Sequence, residues 1–342
     1  QSCETCHSLL SGDGFADPDS TQTRPVSEGA VSGEFGDRNA PTAAYAMFSP
    51  DFHYDTTDSA NPRYIGGQFL DGREADLEGQ AKGPFVNPQE MANTKQGVVD
   101  AVRAASYAAG FKAVYGASSL DDVDTAYDLI ADAIAAFERT AMFASFTSKF
   151  DACPDDQSCL SPSEKRGFDL FQIDGKGKCA ECHKLEKIGG SSGVLFTDFS
   201  YWNIGVPQNS NNPAGTAATG FVDIGLAANP NLVASAPASG ERGKFKVPTL
   251  RNVELTAPYM HNGVFETLTE VMNFYNVREN PCFDPAITDT GRNGFIACWP
   301  STLPPEVEDN LDVTFSGDLL LDAQDVDDLV AFMKTLTDGY TP

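Results

Sequence analysis

Cys3-Glu4-Thr5-Cys6-His7 and Cys179-Ala180-Glu181-Cys182-His183 decide how this 342-residue chain is read. Two thiols three positions apart reach the two vinyl groups of one haem, and the following His lies beneath the iron as its fifth ligand. A zinc site would draw four ligands from the two pairs and leave both matching His residues unexplained. A thioredoxin-type redox pair would need no His after either copy. Two covalent c-type haems are therefore expected, one on Cys3, Cys6 and His7, the other on Cys179, Cys182 and His183.

The remaining cysteines, Cys153/Cys159 and Cys282/Cys298, have no His nearby and sit among Pro, Asp, Asn and Gly. Short-range disulfides are their expected use, which requires an oxidising compartment. Haem is attached to such motifs outside the cytoplasm, so both arguments point to a periplasmic or otherwise exported protein. The chain opens at Gln1-Ser2-Cys3, so export implies a signal that was removed or that lies outside this sequence. No stretch approaches the roughly 18 apolar residues of a membrane span. The formal charge of -26 disfavours nucleic acid and anionic membranes. It suits a partner with a basic face, such as a small cationic electron carrier, and equally suits plain solubility.

Helical signals dominate, predicting a mainly α chain. Apolar residues recur at helical spacing over 97–115 and 120–140. Ser161 and Glu164 form a capping box with Pro162 at the first helical position. Thr267 and Glu270 form another, opening an apolar face of Leu268, Val271, Met272 and Tyr275. A last helix follows Asp322. Long Gly/Asn/Ser/Pro stretches at 10–65 and 186–245 are expected to wrap the haems. The acidic segment 150–161 reads as a linker, giving an N-terminal domain over 1–155 and a C-terminal domain over 156–342. A weak internal repeat agrees. The first motif is followed by Ala40-Pro41-Thr42, Asp71-Gly72 and Asp76-Leu77; the second by Val247-Pro248-Thr249, Asn262-Gly263 and Thr267-Leu268.

The chain has 4 His, of which His7 and His183 are proximal ligands. Only His53 and His261 remain as sixth ligands, which excludes a carrier built on many bis-His haems. A haem with an empty sixth position can bind peroxide or dioxygen; iron ligated on both sides mostly passes electrons.

Three stretches now carry a resemblance: Phe69-Leu70-Asp71-Gly72-Arg73; Gln80-Ala81-Lys82-Gly83-Pro84 with Asn87-Pro88-Gln89-Glu90-Met91; and Phe245 to Asn252 running on to Ala257-Pro258-Tyr259-Met260-His261-Asn262-Gly263. With both haem motifs, they resemble the bacterial di-haem cytochrome c peroxidases and their MauG-like relatives over nearly the whole chain. The resemblance implies two α-helical cytochrome c-like haem domains with long loops, little β structure and a calcium ion between them. It implies a peroxidatic N-terminal haem and an electron-transfer C-terminal haem, and usually more chain before the first cysteine pair. Gln80 and Glu90 match the family's distal pair: a carboxylate suits moving the peroxide's proton, and an amide suits orienting it.

Several positions depart from the peroxidase pattern. Where the family's peroxidases carry a His that plugs the N-terminal iron, Val31 stands here, so that haem is expected to be five-coordinate without reductive activation. His53 is the alternative plug. At the C-terminal haem the peroxidases' Met ligand is replaced by Tyr275, the type associated with MauG-like proteins, with Met272 as competitor. In the repeat Tyr275 pairs with Pro84, placing both over their haems. A phenolate lowers the iron potential where a thioether raises it. Leu70 stands where relatives commonly carry an inter-haem Trp, while Trp202 and Trp299 lie elsewhere. The resemblance also implies calcium at Asn39 and at the backbone carbonyls of Thr256 and Pro258.

The expected activity is reduction of hydrogen peroxide. The electrons come from a small redox protein, or from side chains of a partner protein in a MauG-like oxidase. A plain electron-transfer cytochrome would instead have two six-coordinate haems and be inert to peroxide, and a haem-based redox or gas sensor module would be expected to carry a signalling segment, for which the sequence gives no sign.

Overall fold

The computed structural model describes residues 2–8, 15–153, 157–173, 176–214, 220–280, 282, 296, 298–300, 302–314 and 317–341. The N-terminal half builds α1 (Leu77–Val86), α2 (Lys95–Ala104), α3 (Ala108–Tyr115) and α4 (Val123–Glu138). Asp76, Thr94 and Asp122 cap α1, α2 and α4 by accepting the backbone N–H three residues on. The helix expected over 97–115 is broken between α2 and α3, where Ala105 turns extended (φ -71°, ψ 149°). In one unbroken helix Phe111 would face away from Val98. The break turns it back onto the core of Val98, Val99, Val102, Leu120, Tyr127 and Ile130.

The C-terminal half contributes α5 (Lys149–Ala152), α6 (Pro162–Gln172), α7 (Leu268–Val277) and α8 (Ala323–Lys334). Both expected capping boxes form. Glu164 accepts from the Ser161 N–H at 2.6 Å, and Glu270 from the Thr267 N–H at 2.7 Å. α6 packs on α8 through interlocked rings: Phe332 lies 5.1 Å from Phe168 and 5.3 Å from Phe171, centroid to centroid. Phe196 and Phe274 complete this core, each fully buried; burying one such side chain contributes about 1.5–3 kcal/mol. Cys153–Cys159 and Cys282–Cys298 are disulfide-bonded, as expected.

Strand is scarce, also as expected. β1 (His53–Asp55) pairs antiparallel with β2 (Arg63–Ile65), and β3 (Tyr201–Trp202) with β4 (Phe245–Lys246), which sets Trp202 opposite Phe245. The long loops cross between halves. Tyr201 donates its hydroxyl to the Gly66 carbonyl, and Arg38 pairs with Asp223 at 2.6 Å. Asp151 in α5 holds the fully buried Arg251, its Oδ1 accepting at 2.7 Å.

The weak sequence repeat is a repeat of backbone conformation. Gly72 and Gly263 both take left-handed φ, +66° and +63°, which a Cβ would oppose. Phe69 and Met260, three residues before each, are also left-handed. Gln68 bridges Glu74, and Tyr259 bridges Phe265, at the same offsets. α1 and α7 then begin five residues after their glycines and run 10 residues each. Thr42 and Thr249 match too: each accepts the N–H two residues on, and each is followed by a left-handed residue, Tyr45 or Asn252.

Candidate active site

Each Cys-x-x-Cys-His run folds into one 3₁₀ turn, Cys3–Thr5 and Cys179–Glu181. The His7 N–H donates to the Cys3 carbonyl and the His183 N–H to the Cys179 carbonyl, both at 2.9 Å. Although three positions apart, Cys3 and Cys6 are not joined in a disulfide, nor are Cys179 and Cys182. Burial pushes all four thiols up, Cys179 and Cys182 to about 12. Both imidazoles are turned the same way. His7 Nδ1 lies 3.4 Å from the Phe15 carbonyl and His183 Nδ1 2.8 Å from the Phe196 carbonyl. Phe15 and Phe196 are themselves left-handed, φ +57° and +55°. A carbonyl on Nδ1 selects the tautomer that leaves Nε2 as a lone-pair donor. Burial lowers both His pKa values, which favours that neutral ring.

Two clefts open over these turns. The N-terminal one, about 1970 Å³ with its mouth, is lined by Cys3, Cys6, His7, Gln80, Pro84 and Glu90. α1 carries Gln80 and Pro84, and the loop after it carries Glu90. Glu90 Oε1 accepts from Asn87 Nδ2 at 2.8 Å. Burial raises the Glu90 pKa above the ordinary carboxylate value, with the Asn87 bond and Arg73 opposing. Neither Val31 nor His53 lines this cleft. Val31 is 51% exposed, at the tip of a loop whose Ala30 N–H donates to the Glu90 carbonyl. His53 sits in β1 with Nδ1 on the Asp51 carbonyl at 2.7 Å. Sequence reading gave no role to Met91 and Arg73, which also line the cleft, or to residues 221–224, which line it from the C-terminal half.

The second cleft, about 1850 Å³ with its mouth, is lined by Cys179, Cys182, His183, Met272 and Tyr275. Tyr275 and Met272 both project from α7, and burial holds the Tyr275 phenol well above its ordinary value. His261 lines the cleft but stacks flat on Phe245 at 3.8 Å, with Nε2 3.3 Å from Glu306. Asn39, Thr256 and Pro258 are also among the residues that line this cleft. Leu70 and residues 39–42 line both clefts, forming the wall between them.

This geometry agrees with what the chain is similar to. Residues 1–158 match the family profile described as di-haem cytochrome c peroxidase. The methylamine utilization protein MauG of Paracoccus denitrificans is 40% identical over 349 residues, covering 100% of this chain and 85% of the relative. The chain belongs to the di-haem cytochrome c peroxidase and MauG family.

Cytochrome c peroxidase Ccp of Escherichia coli is 31% identical over 351 residues, all of this chain but 55% of the relative. The diheme peroxidase BthA of Burkholderia thailandensis superposes with a TM-score of 0.80 at 29% identity, over 99% of this chain and 81% of that one. The protein is thus an oxidoreductase of the di-haem peroxidase class, mainly α, and the family implies two haems. Its residues fit that group. Each cleft has two thiols outside disulfides and one imidazole with Nδ1 already engaged. No helix among the described residues is long and apolar enough to cross a membrane.

Proposed function

We propose that the chain reduces hydrogen peroxide in the N-terminal cleft. The observation that carries this is Glu90 and Gln80 on the same cleft as Cys3, Cys6 and His7, with Val31 and His53 both outside it. In this reading Cys3, Cys6 and His7 would hold one haem, and Cys179, Cys182, His183 and Tyr275 would hold the other. Bound haem supplies the iron at which peroxide is reduced and a second centre that stores an oxidising equivalent.

The protein's own part is proton handling. Glu90 takes the proton from peroxide and returns it to the departing oxygen, which suits a carboxylate lifted by burial. Gln80 holds the peroxide by hydrogen bonds, and Pro84, which lacks an N–H, narrows the pocket without adding a donor. Leu70 separates the two centres without offering an oxidisable ring. A calcium ion at Asn39 and the carbonyls of Thr256 and Pro258 fits the side chain's posture: its Nδ2 donates to the Pro25 carbonyl at 2.8 Å, leaving Oδ1 for a hard cation. We divide the chain into haem domains at 1–155 and 156–342 and place it in the periplasm or another exported location, consistent with two disulfides.

The electrons come from a small redox protein. Likeness to MauG over the whole chain, together with Tyr275, supports a second reading in which they come from side chains of a partner protein. The test is an absorption spectrum of the oxidised holo-protein before and after one equivalent of peroxide. A high-spin spectrum that converts rapidly supports the proposal. A low-spin, inert one, as Met91 ligation would give, overturns it in favour of an electron carrier.

A further inference from the structure

The geometry points to Trp202 as the oxidisable side chain of the C-terminal cleft, with Ser200 and Asp198 as the path for its proton. This rests on the peroxide chemistry proposed above. Leu70, on the wall between the clefts, cannot be oxidised. Trp299 is buried in the C-terminal core and lines neither cleft. Trp202 lines the C-terminal cleft together with Cys182, His183 and Tyr275, held there by its pairing with Phe245 across β3 and β4.

What sets Trp202 apart is where its N–H goes. Trp299 donates to the Leu303 carbonyl at 3.0 Å, the usual end for a buried indole. Trp202 Nε1 instead donates to Ser200 Oγ at 2.8 Å, and the Ser200 hydroxyl donates to Asp198 Oδ1 at 2.6 Å. A carbonyl cannot hand a proton on, whereas a hydroxyl accepts one and gives one. The carboxylate at the end is buried. Its Oδ2 has no hydrogen-bond partner and lies 3.5 Å from Arg63.

The step balances as follows. One electron leaves the indole for the peroxide-oxidised haem of this cleft, which is reduced by one electron. The Nε1 proton moves to Ser200 Oγ as the Ser200 proton moves to Asp198. The products are a neutral indolyl radical and a protonated Asp198, and one electron from an outside donor reverses both transfers.

Holo-protein carrying ring-deuterated tryptophan, mixed with one equivalent of hydrogen peroxide without reductant and freeze-quenched, tests this. The expected electron paramagnetic resonance signal is a neutral tryptophan radical narrowed by the label. It persists in Trp299→Phe and is lost in Trp202→Phe. In Ser200→Ala it shifts to the protonated cation form. Haem absorbance in the same samples reports the peroxide reading separately, and no change there sinks both. A normal absorbance change without a tryptophan signal, or with one that survives in Trp202→Phe, overturns the Trp202 assignment. An unshifted signal in Ser200→Ala removes Ser200 and Asp198 from the path. Peptide mapping of wild-type protein after repeated peroxide doses needs no variant: oxygen additions concentrate on Trp202, and additions confined to Trp299 or to tyrosines overturn the assignment.

Discussion

The imidazole Nδ1 of His183 stands 2.8 Å from the carbonyl oxygen of Phe196, a residue held in the left-handed region at φ +55°. The ring of Phe196 is simultaneously a fully buried part of the aromatic core between α6 and α8. One residue therefore ties the orientation of the proximal ligand to the packing of the C-terminal half. His7 and Phe15 repeat the relationship at 3.4 Å in the N-terminal half.

Phe196→Ala should destabilise the protein by about 3–5 kcal/mol, the range for emptying a buried aromatic site. Urea unfolding followed by circular dichroism measures it. A loss below about 1 kcal/mol would mean that the core closes around the gap and that Phe196 matters only through its carbonyl.

Glu90→Gln should slow the peroxide-induced spectral change by roughly a hundredfold or more. The base form is the carboxylate. Because burial raises its pKa, the rate should climb with pH through a midpoint above the ordinary Glu value. Stopped-flow rates across pH should show that limb in the wild type and none in Glu90→Gln. An unchanged rate would remove Glu90 from the mechanism.

Asp151→Asn should cost about 3–5 kcal/mol, since it leaves the Arg251 guanidinium buried without its counter-charge. Burial alone would raise the Asp151 pKa, but its bonds and charge pairing with Arg251 prevail and lower it. Its contribution is thus present above the unfolded carboxylate pKa and is lost as pH falls through the depressed folded value. Denaturant midpoints should drop on acidification below about pH 4 in wild type, and less steeply in Asp151→Asn.

Tyr275→Met should raise the reduction potential of the C-terminal centre, because a thioether favours the reduced metal where a phenolate favours the oxidised. Spectroelectrochemical titration reads this directly. Met272→Leu should leave the potential in place. A shift in Met272→Leu and none in Tyr275→Met would reverse the assignment of the two α7 side chains.

Much of this site was legible because its signals are local. The motif turns close through bonds from His7 to Cys3 and from His183 to Cys179, and the capping boxes join residues three apart. The disulfide pairs were likewise near neighbours in sequence. The break at Ala105 was not legible, because periodicity over 97–115 is satisfied by either one helix or two, and only packing of Phe111 against the core that α2 and α4 share chooses between them.

By itself the sequence determined two Cys-x-x-Cys-His turns and a repeated glycine-plus-helix unit after each. All of these depend on residue identity and short spacing, which a chain cannot rearrange. Only the tertiary structure decided that Arg38 meets Asp223, that residues 221–224 line the N-terminal cleft, and that Trp202 faces the C-terminal one. Those contacts join segments up to 185 residues apart. Their register is set by how the long loops cross the two halves, and no spacing in the linear sequence encodes that path.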